Sequence, residues 1–272
     1  MRWTFERKLR AAIEAPCGRM SARADTRVVA REGWFQRITP SAPGSHLNEV
    51  LRSVVDEADA ERVIDEVVAE YRAIGKPTKW CTGPWTKPDD FGERLVRRGF
   101  TSWKTRGMGS ETDAPIAPGA ARVRLVETDG DLDAYLRISR LAWSIDDDDV
   151  EATRASYRPM LGSVLFPFIV DVDGSAAGGT SHTHDVGASA LLLRDGYGYL
   201  VGGAIVEHAR GRGLYRALVA ARLAFLRDRG IEYAVTHARE STSAPLLEHF
   251  GFETLFHGAC YLLDAPSAGG RP

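Results

Sequence analysis

Between Asp59 and Ile74 the apolar residues Val63, Ile64, Val67, Val68, Tyr71 and Ile74 recur at helical spacing, and Gly75 with Pro77 supplies a stop. This predicts an amphipathic helix over 59–74. Before it, Arg27-Val-Val-Ala-Arg31 and Trp34-Phe-Gln-Arg-Ile38 read as strands around Glu32-Gly33, and 46–54 as a third. After it come a strand near Trp80 and a helix over 89–100, opened by acidic N-cap residues and closed by Gly99. In the second half, 129–145 and 150–161 read as consecutive helices. A strand follows over 164–172, with Asp173-Gly174 as a hairpin turn, while 176–187 has no clear pattern. Ser189–Arg194 and Gly198–Val206 flank Asp195-Gly196 as a hairpin. A strong helix over 214–229 offers Leu218, Val219, Leu223, Phe225 and Leu226 for burial and stops at Gly230. A buried strand over 233–237, a short helix over 243–250 and a closing strand over 254–264 complete the order, and the tail 267–272 reads as disordered. Such a mixture predicts an α/β (α+β) fold, a twisted mixed sheet with helices on both faces. The stretch 113–121, with two prolines and a glycine before a β-like run at 123–126, reads as a linker. The expected domains are therefore 1–112 and 122–272.

Composition narrows the function classes. A chain of 272 residues suits one large or two medium domains, and a net charge of -2 gives no basic field for a phosphate backbone. Nucleic acid is thus not an expected partner. The three cysteines, Cys17, Cys81 and Cys260, stand far apart without the paired spacing of a zinc site or disulfide framework. Buried free thiols in a reducing cytoplasm are the expectation, with no resident metal. No apolar run reaches the roughly 18 residues of a membrane span. The charged segment 1–10 breaks off into Ala-Ala-Ile-Glu-Ala-Pro before a signal core forms, so a cytoplasmic location is expected.

The segment that carries chemistry is Ala204-Ile-Val-Glu-His-Ala-Arg-Gly-Arg-Gly-Leu-Tyr-Arg-Ala-Leu218, an apolar strand, a Gly/Arg turn and an amphipathic helix. Such a turn points backbone N–H groups into one concavity at the positive end of the helix. Gly211 and Gly213 allow close backbone approach, and Arg210, Arg212 and Arg216 add charge for a pyrophosphate or 3′-phosphate. The chemistry is binding of a phosphorylated cofactor, and neither a dinucleotide fingerprint nor a Gly-Lys-Ser/Thr loop is present.

The segment resembles the acetyl-CoA motif of the GNAT superfamily of N-acyltransferases, Gln/Arg-x-x-Gly-x-Gly/Ala. Arg210-Gly-Arg-Gly213 matches it, and Tyr215 departs from it at the last place. Leu246-Leu-Glu-His-Phe-Gly-Phe252 falls where family members end a later helix in Gly-Phe. The order helix 59–74, Trp80 strand and Gly99-Phe100 is similar to tandem GNAT proteins whose N-terminal lobe has lost its cofactor site; an unrelated capping domain is the alternative. The resemblance implies an acyl-CoA donor, acetyl-CoA or another, lying between strands 199–206 and 233–237. The binding residues would be Ile205, Val206, Arg210, Gly211, Arg212, Gly213, Leu214, Tyr215 and Arg216. Backbone near Ile205 and Val206 would polarise the thioester.

An alkylamine acceptor with a pKa near 10 is almost wholly protonated at neutral pH, so a base or proton relay is expected. Glu207 is the first candidate, against a solvated loop charge. His182 and His184, within Ser181-His-Thr-His-Asp185, are further candidates as base or acceptor ligands; a metal site and a bare surface loop are the alternatives. The tyrosine that the family uses as an acid is replaced by Leu247, and an upstream asparagine by Glu240, leaving Tyr215 and Tyr261 as substitutes. Asp146–Asp149 would either attract a cationic amine or cap a helix, and Trp143 would line a pocket or fill the core. The function implied is acyl transfer to an amine of a small molecule. A carrier-protein pantetheine donor, a non-catalytic CoA-binding module and a homodimer built by the lobes stand as alternatives.

Overall fold

The computed structural model of the chain describes residues 3–18, 23–117, 119, 121–143, 150–172 and 185–265. His182, His184, Asp146–Asp149, the Asp173-Gly174 turn, most of 176–187 and the tail 267–272 lie outside the described residues.

Seven helices are described: α1 (Phe5–Glu14), α2 (Ala60–Ala73), α3 (Phe91–Arg97), α4 (Asp129–Trp143), α5 (Val150–Tyr157), α6 (Leu214–Arg227) and α7 (Ser243–His249). The strands are β1 (Arg27–Arg31), β2 (Trp34–Ile38), β3 (Glu49–Ser53), β4 (Thr78–Thr82), β5 (Thr101–Glu111), β6 (Arg122–Leu125), β7 (Leu165–Asp171), β8 (Asp185–Arg194), β9 (Tyr197–Ile205), β10 (Tyr233–Arg239) and β11 (Glu253–Leu263). The α/β class and the mixed sheet are as expected. Two elements, α1 and β5, were not foreseen. The strand expected over 46–54 begins later, because Ser45–Leu47 forms a 3₁₀ turn and the Asn48 amide ties down the loop, accepting from the Thr39 N–H (2.8 Å) and donating to the Thr39 carbonyl (3.1 Å). The helix expected over 150–161 ends at Tyr157, where Pro159 leads into a 3₁₀ turn. No described helix is long and apolar enough to cross a membrane.

The chain forms two compact units, neither continuous in sequence. The first takes the described residues of Met1–Ser21, Met108–His237 and Leu246–Glu253. Its strands run in the order β5, β10, β9, β8, β7, β6, antiparallel from β6 to β9 and parallel between β9 and β10. Leu132 and Ile138 of α4, Ile169 of β7, Leu191 of β8 and Leu218 of α6 are fully buried and make its core. The second unit takes the described residues of Ala22–Gly107, Ala238–Pro245 and Thr254–Pro272, with strands in the order β1, β2, β3, β4, β11, β5. The α2 stripe read from the sequence buries Val63, Ile64, Val67, Val68 and Tyr71 around Trp80, which packs on Trp34 (centroids 5.7 Å apart) and Phe91 (5.0 Å).

Candidate functional site

In the first unit β9 and β10 pair over three residues only, Ala234↔Gly198 to Thr236↔Leu200. The Thr236 hydroxyl donates to the Leu200 carbonyl (2.8 Å) at the point where the pairing stops, so Val201–Ile205 runs on with no β10 partner. Here β9 also carries a bulge: Ala190 faces Val201 while Ala188 faces Ala204, so Gly202 and Gly203 together stand opposite Ser189, one residue more than the partner strand. Gly202 takes φ +60, a conformation that favours glycine. Gly203 is required for space, since a Cβ there would lie 2.9 Å from the Tyr215 ring.

From this cleft the chain passes through a 3₁₀ turn, Glu207–Ala209, into the glycine turn. Gly211 (φ +78) and Gly213 (φ +75) are both left-handed, and a Cβ on Gly211 would meet open space. Gly213 is the N-cap of α6 and has no side chain to cap it. The first helical bond runs from the Ala217 N–H to the Gly213 carbonyl (3.1 Å), which leaves the N–H groups of Leu214, Tyr215 and Arg216 without intrahelical partners. Arg210 donates Nε to the Ile205 carbonyl (3.1 Å). Arg210, Arg212 and Arg216 are exposed and have no carboxylate partner among the described residues, unlike Arg94, held by Asp90, Glu57 and Glu61. Three guanidiniums without a carboxylate partner among the described residues, beside an uncapped helix start, make a candidate anion cradle.

The remaining expected residues are distributed as follows. Leu214 is buried and anchors the helix. The Val206 N–H donates to the Val186 carbonyl (2.9 Å), its own carbonyl accepts from Ala209 (3.0 Å), and the Ile205 carbonyl is taken by Arg210. These backbone groups are thus spent within the protein, and the interrupted register lies at Gly202-Gly203. Tyr215 lies over Gly203, 6.5 Å from the Phe250 ring; burial pushes its phenol pKa up, with Arg222 pulling the other way. Glu207 is exposed at the mouth of the turn. Asp185, the described member of the histidine-rich cluster, accepts from Arg124 (2.6 and 3.0 Å) and Arg137 (3.5 Å), an ion-pair role. Trp143 is 53% exposed and is not core. Leu247 is buried. Tyr261 and Glu240 belong to the second unit, where Glu240 pairs with Arg106 (3.3 Å) and the Tyr261 hydroxyl stands over Gly92.

Sequence reasoning missed Arg222. It is 2% exposed on α6, donates to the carbonyls of Leu218 (3.0 Å) and Ala190 (3.3 Å), and has no carboxylate partner among the described residues. Burial pushes its pKa down to about 10, so it remains a cation at neutral pH beneath the bulge. Its place in the apolar stripe, four residues after Leu218 and three after Val219, was the available signal.

The second unit has a comparable strand, helix, strand order, β3, α2, β4, but its cleft is filled. The Trp80 indole donates to Ser53 Oγ (3.0 Å), the Lys87 N–H donates to the Ser53 carbonyl (3.2 Å), and α2 begins after Asp56, Glu57 and Asp59. Glu57 and Asp59 there are ion-paired with Arg94 and Arg62, and no glycine and arginine turn precedes this helix as it does α6.

No protein-family model matches the sequence, and no curated protein matches it. Solved structures do. A GCN5-related N-acetyltransferase from Kribbella flavida superposes with a TM-score of 0.65 at 16% identity, covering 97% of this chain and 96% of its own. A functionally unknown conserved protein from Staphylococcus epidermidis gives 0.67 at 11% identity over 89% and 95%. A tandem GNAT protein from the clavulanic acid biosynthesis pathway gives 0.54 at 14% over 97% and 96%. These likenesses, over nearly the whole chain, show that the protein has the fold of the GCN5-related N-acetyltransferases.

Proposed function

We propose that the chain transfers an acyl group from an acyl-CoA thioester to the amine of a small molecule. The observation that carries this is the continuity of the unpaired end of β9 with the uncapped start of α6: an extended arm fits along Val201–Ile205 and its phosphates fit the cradle. Arg210, Arg212 and Arg216 with the N–H groups of Leu214, Tyr215 and Arg216 would hold the phosphates, and Gly211 and Gly213 keep the approach open. When bound, acyl-CoA supplies an activated carbonyl on a thiol leaving group. Backbone N–H groups of the unpaired segment Gly202–Ile205 are the proposed donors to that carbonyl's oxygen, because the Val206 N–H is engaged with the Val186 carbonyl. Glu207, beside the turn, takes the proton from the attacking amine. Tyr215, protonated at neutral pH, shields the reacting centre from the α6 side.

The test is calorimetric titration of the purified chain with acetyl-CoA, with dephospho-CoA as comparison ligand and Arg210→Ala/Arg212→Ala as comparison protein. Micromolar binding that weakens about tenfold or more in both comparisons is the expected result, since each removes charge-assisted contacts. Binding equal in all three would place the phosphates elsewhere, and no binding would sink the CoA reading.

A further inference from the structure

Cys81 on β4 and Cys260 on β11 are 179 residues apart in sequence and directly opposite in the antiparallel register of the second unit. Their sulfurs are 3.1 Å apart. Alternation along the strand puts both on the sheet face of Lys79, away from the Trp80 core, and both are half-buried rather than sealed. A disulfide needs a sulfur separation of about 2.0 Å, so closing the pair takes about 1 Å of side-chain movement. The two thiols are also unlike. The hydrogen bond from Cys81 holds the Cys260 pKa down, helped by the Lys79 ammonium, while the same bond and burial raise that of Cys81. Lys79 is fixed by Glu49 (2.7 Å).

We propose that Cys81 and Cys260 form a reversible dithiol–disulfide site that reacts with a low-molecular-weight disulfide and, when oxidised, staples β11 to β4. The Cys260 thiolate attacks one sulfur of the small disulfide, making a mixed disulfide and releasing one thiolate. Cys81 then gives up its proton, and its sulfur attacks the Cys260 sulfur and expels the second small thiolate, which takes that proton. Two protein thiols are oxidised and one small disulfide is reduced to two thiols. This site is independent of acyl transfer.

The experiment incubates the full chain with oxidised glutathione, then reads titratable thiols after denaturation, intact mass, the cross-linked peptide and the melting temperature. Of the three free cysteines, one thiol should remain titratable, the mass should fall by two hydrogens, and Cys81–Cys260 should appear as the cross-link. Closing a loop of this length should raise Tm by about 5 °C or more, reversibly with dithiothreitol. Cys17→Ser should still lose two thiols. Cys81→Ser should hold one glutathione on Cys260 and gain no stability. Three persisting thiols, separate adducts on both cysteines, or a cross-link through Cys17 would each overturn the proposal.

Discussion

At Gly203 the missing side chain is a packing requirement, because Tyr215 occupies the space a Cβ would need, at 2.9 Å. Gly203→Ala must push that ring off the strand, and the expected cost is about 1–3 kcal/mol, visible in a chemical melt, together with weakened acetyl-CoA binding. Gly211→Ala differs in kind: the space is open but φ is +78, so the cost is about 1–2 kcal/mol of backbone strain. It should lower stability modestly and move the turn that carries Arg210 and Arg212. Glu207→Gln keeps shape and removes the base. With the proposed role, kcat for acyl transfer to an amine should fall by about a hundredfold while the acetyl-CoA Kd is unchanged. A kcat within threefold or so of the wild type would assign Glu207 to the solvated loop instead. These residues were legible to different degrees. The Arg210–Arg216 turn announced itself by glycine and charge, whereas Arg222 was invisible to a reading that counts arginine as surface, since its burial depends on two carbonyls brought together by the fold.

Helices reveal their ends through side chains that replace backbone partners. At the start of α4, Thr128 Oγ1 accepts from the Asp131 N–H (3.1 Å), and Asp131 accepts from the Thr128 N–H (3.2 Å) and hydroxyl (2.7 Å), a reciprocal cap. The hydroxyl bond from Thr128 holds the Asp131 carboxyl below its ordinary pKa. Between the lowered folded value and the ordinary unfolded one, the unfolded chain binds more protons. The cap's contribution is therefore complete above about pH 4 and is lost as pH falls through the folded value. Asp131→Asn should cost about 1 kcal/mol in urea melts at pH 7, and the difference from the wild type should shrink on acidification below pH 4. Periodicity made α2 and α6 legible because each buries a continuous apolar stripe. It failed at α1, whose buried residues are the small Ala11 and Ala12 within a charged segment. It failed again at β5, where Gly107 and Gly109 break the strand pattern. Both glycines make room for rings, of Phe256 and Tyr233, whose positions no local pattern reveals.

The fold class was legible in the sequence, but the units follow pairing that joins distant parts of the chain. The second unit inserts β11, from the last described part of the chain, between β4 and β5. Its contact with β4 runs from Ala259↔Thr82 to Leu263↔Thr78, and Tyr261 and Leu263 pack against the Trp80 core. A fragment of residues 1–112 contains the buried members of that core, from Trp34 to Phe100, yet leaves one side of β4 without a partner. An unpaired strand edge beside an open core favours aggregation over a cooperative native state. The fragment alone should therefore give a broad, non-cooperative melt and form oligomers. Adding a peptide of residues 253–264 should restore a sharp transition whose midpoint rises with peptide concentration, because the strand binds only the folded form. A peptide with Tyr261→Asp should fail to do so, since the lost ring faces Trp80 across the register. A fragment that melts cooperatively alone, with no response to the peptide, would mean that α2 and the Trp80 cluster suffice and that β11 is an addition to a finished unit.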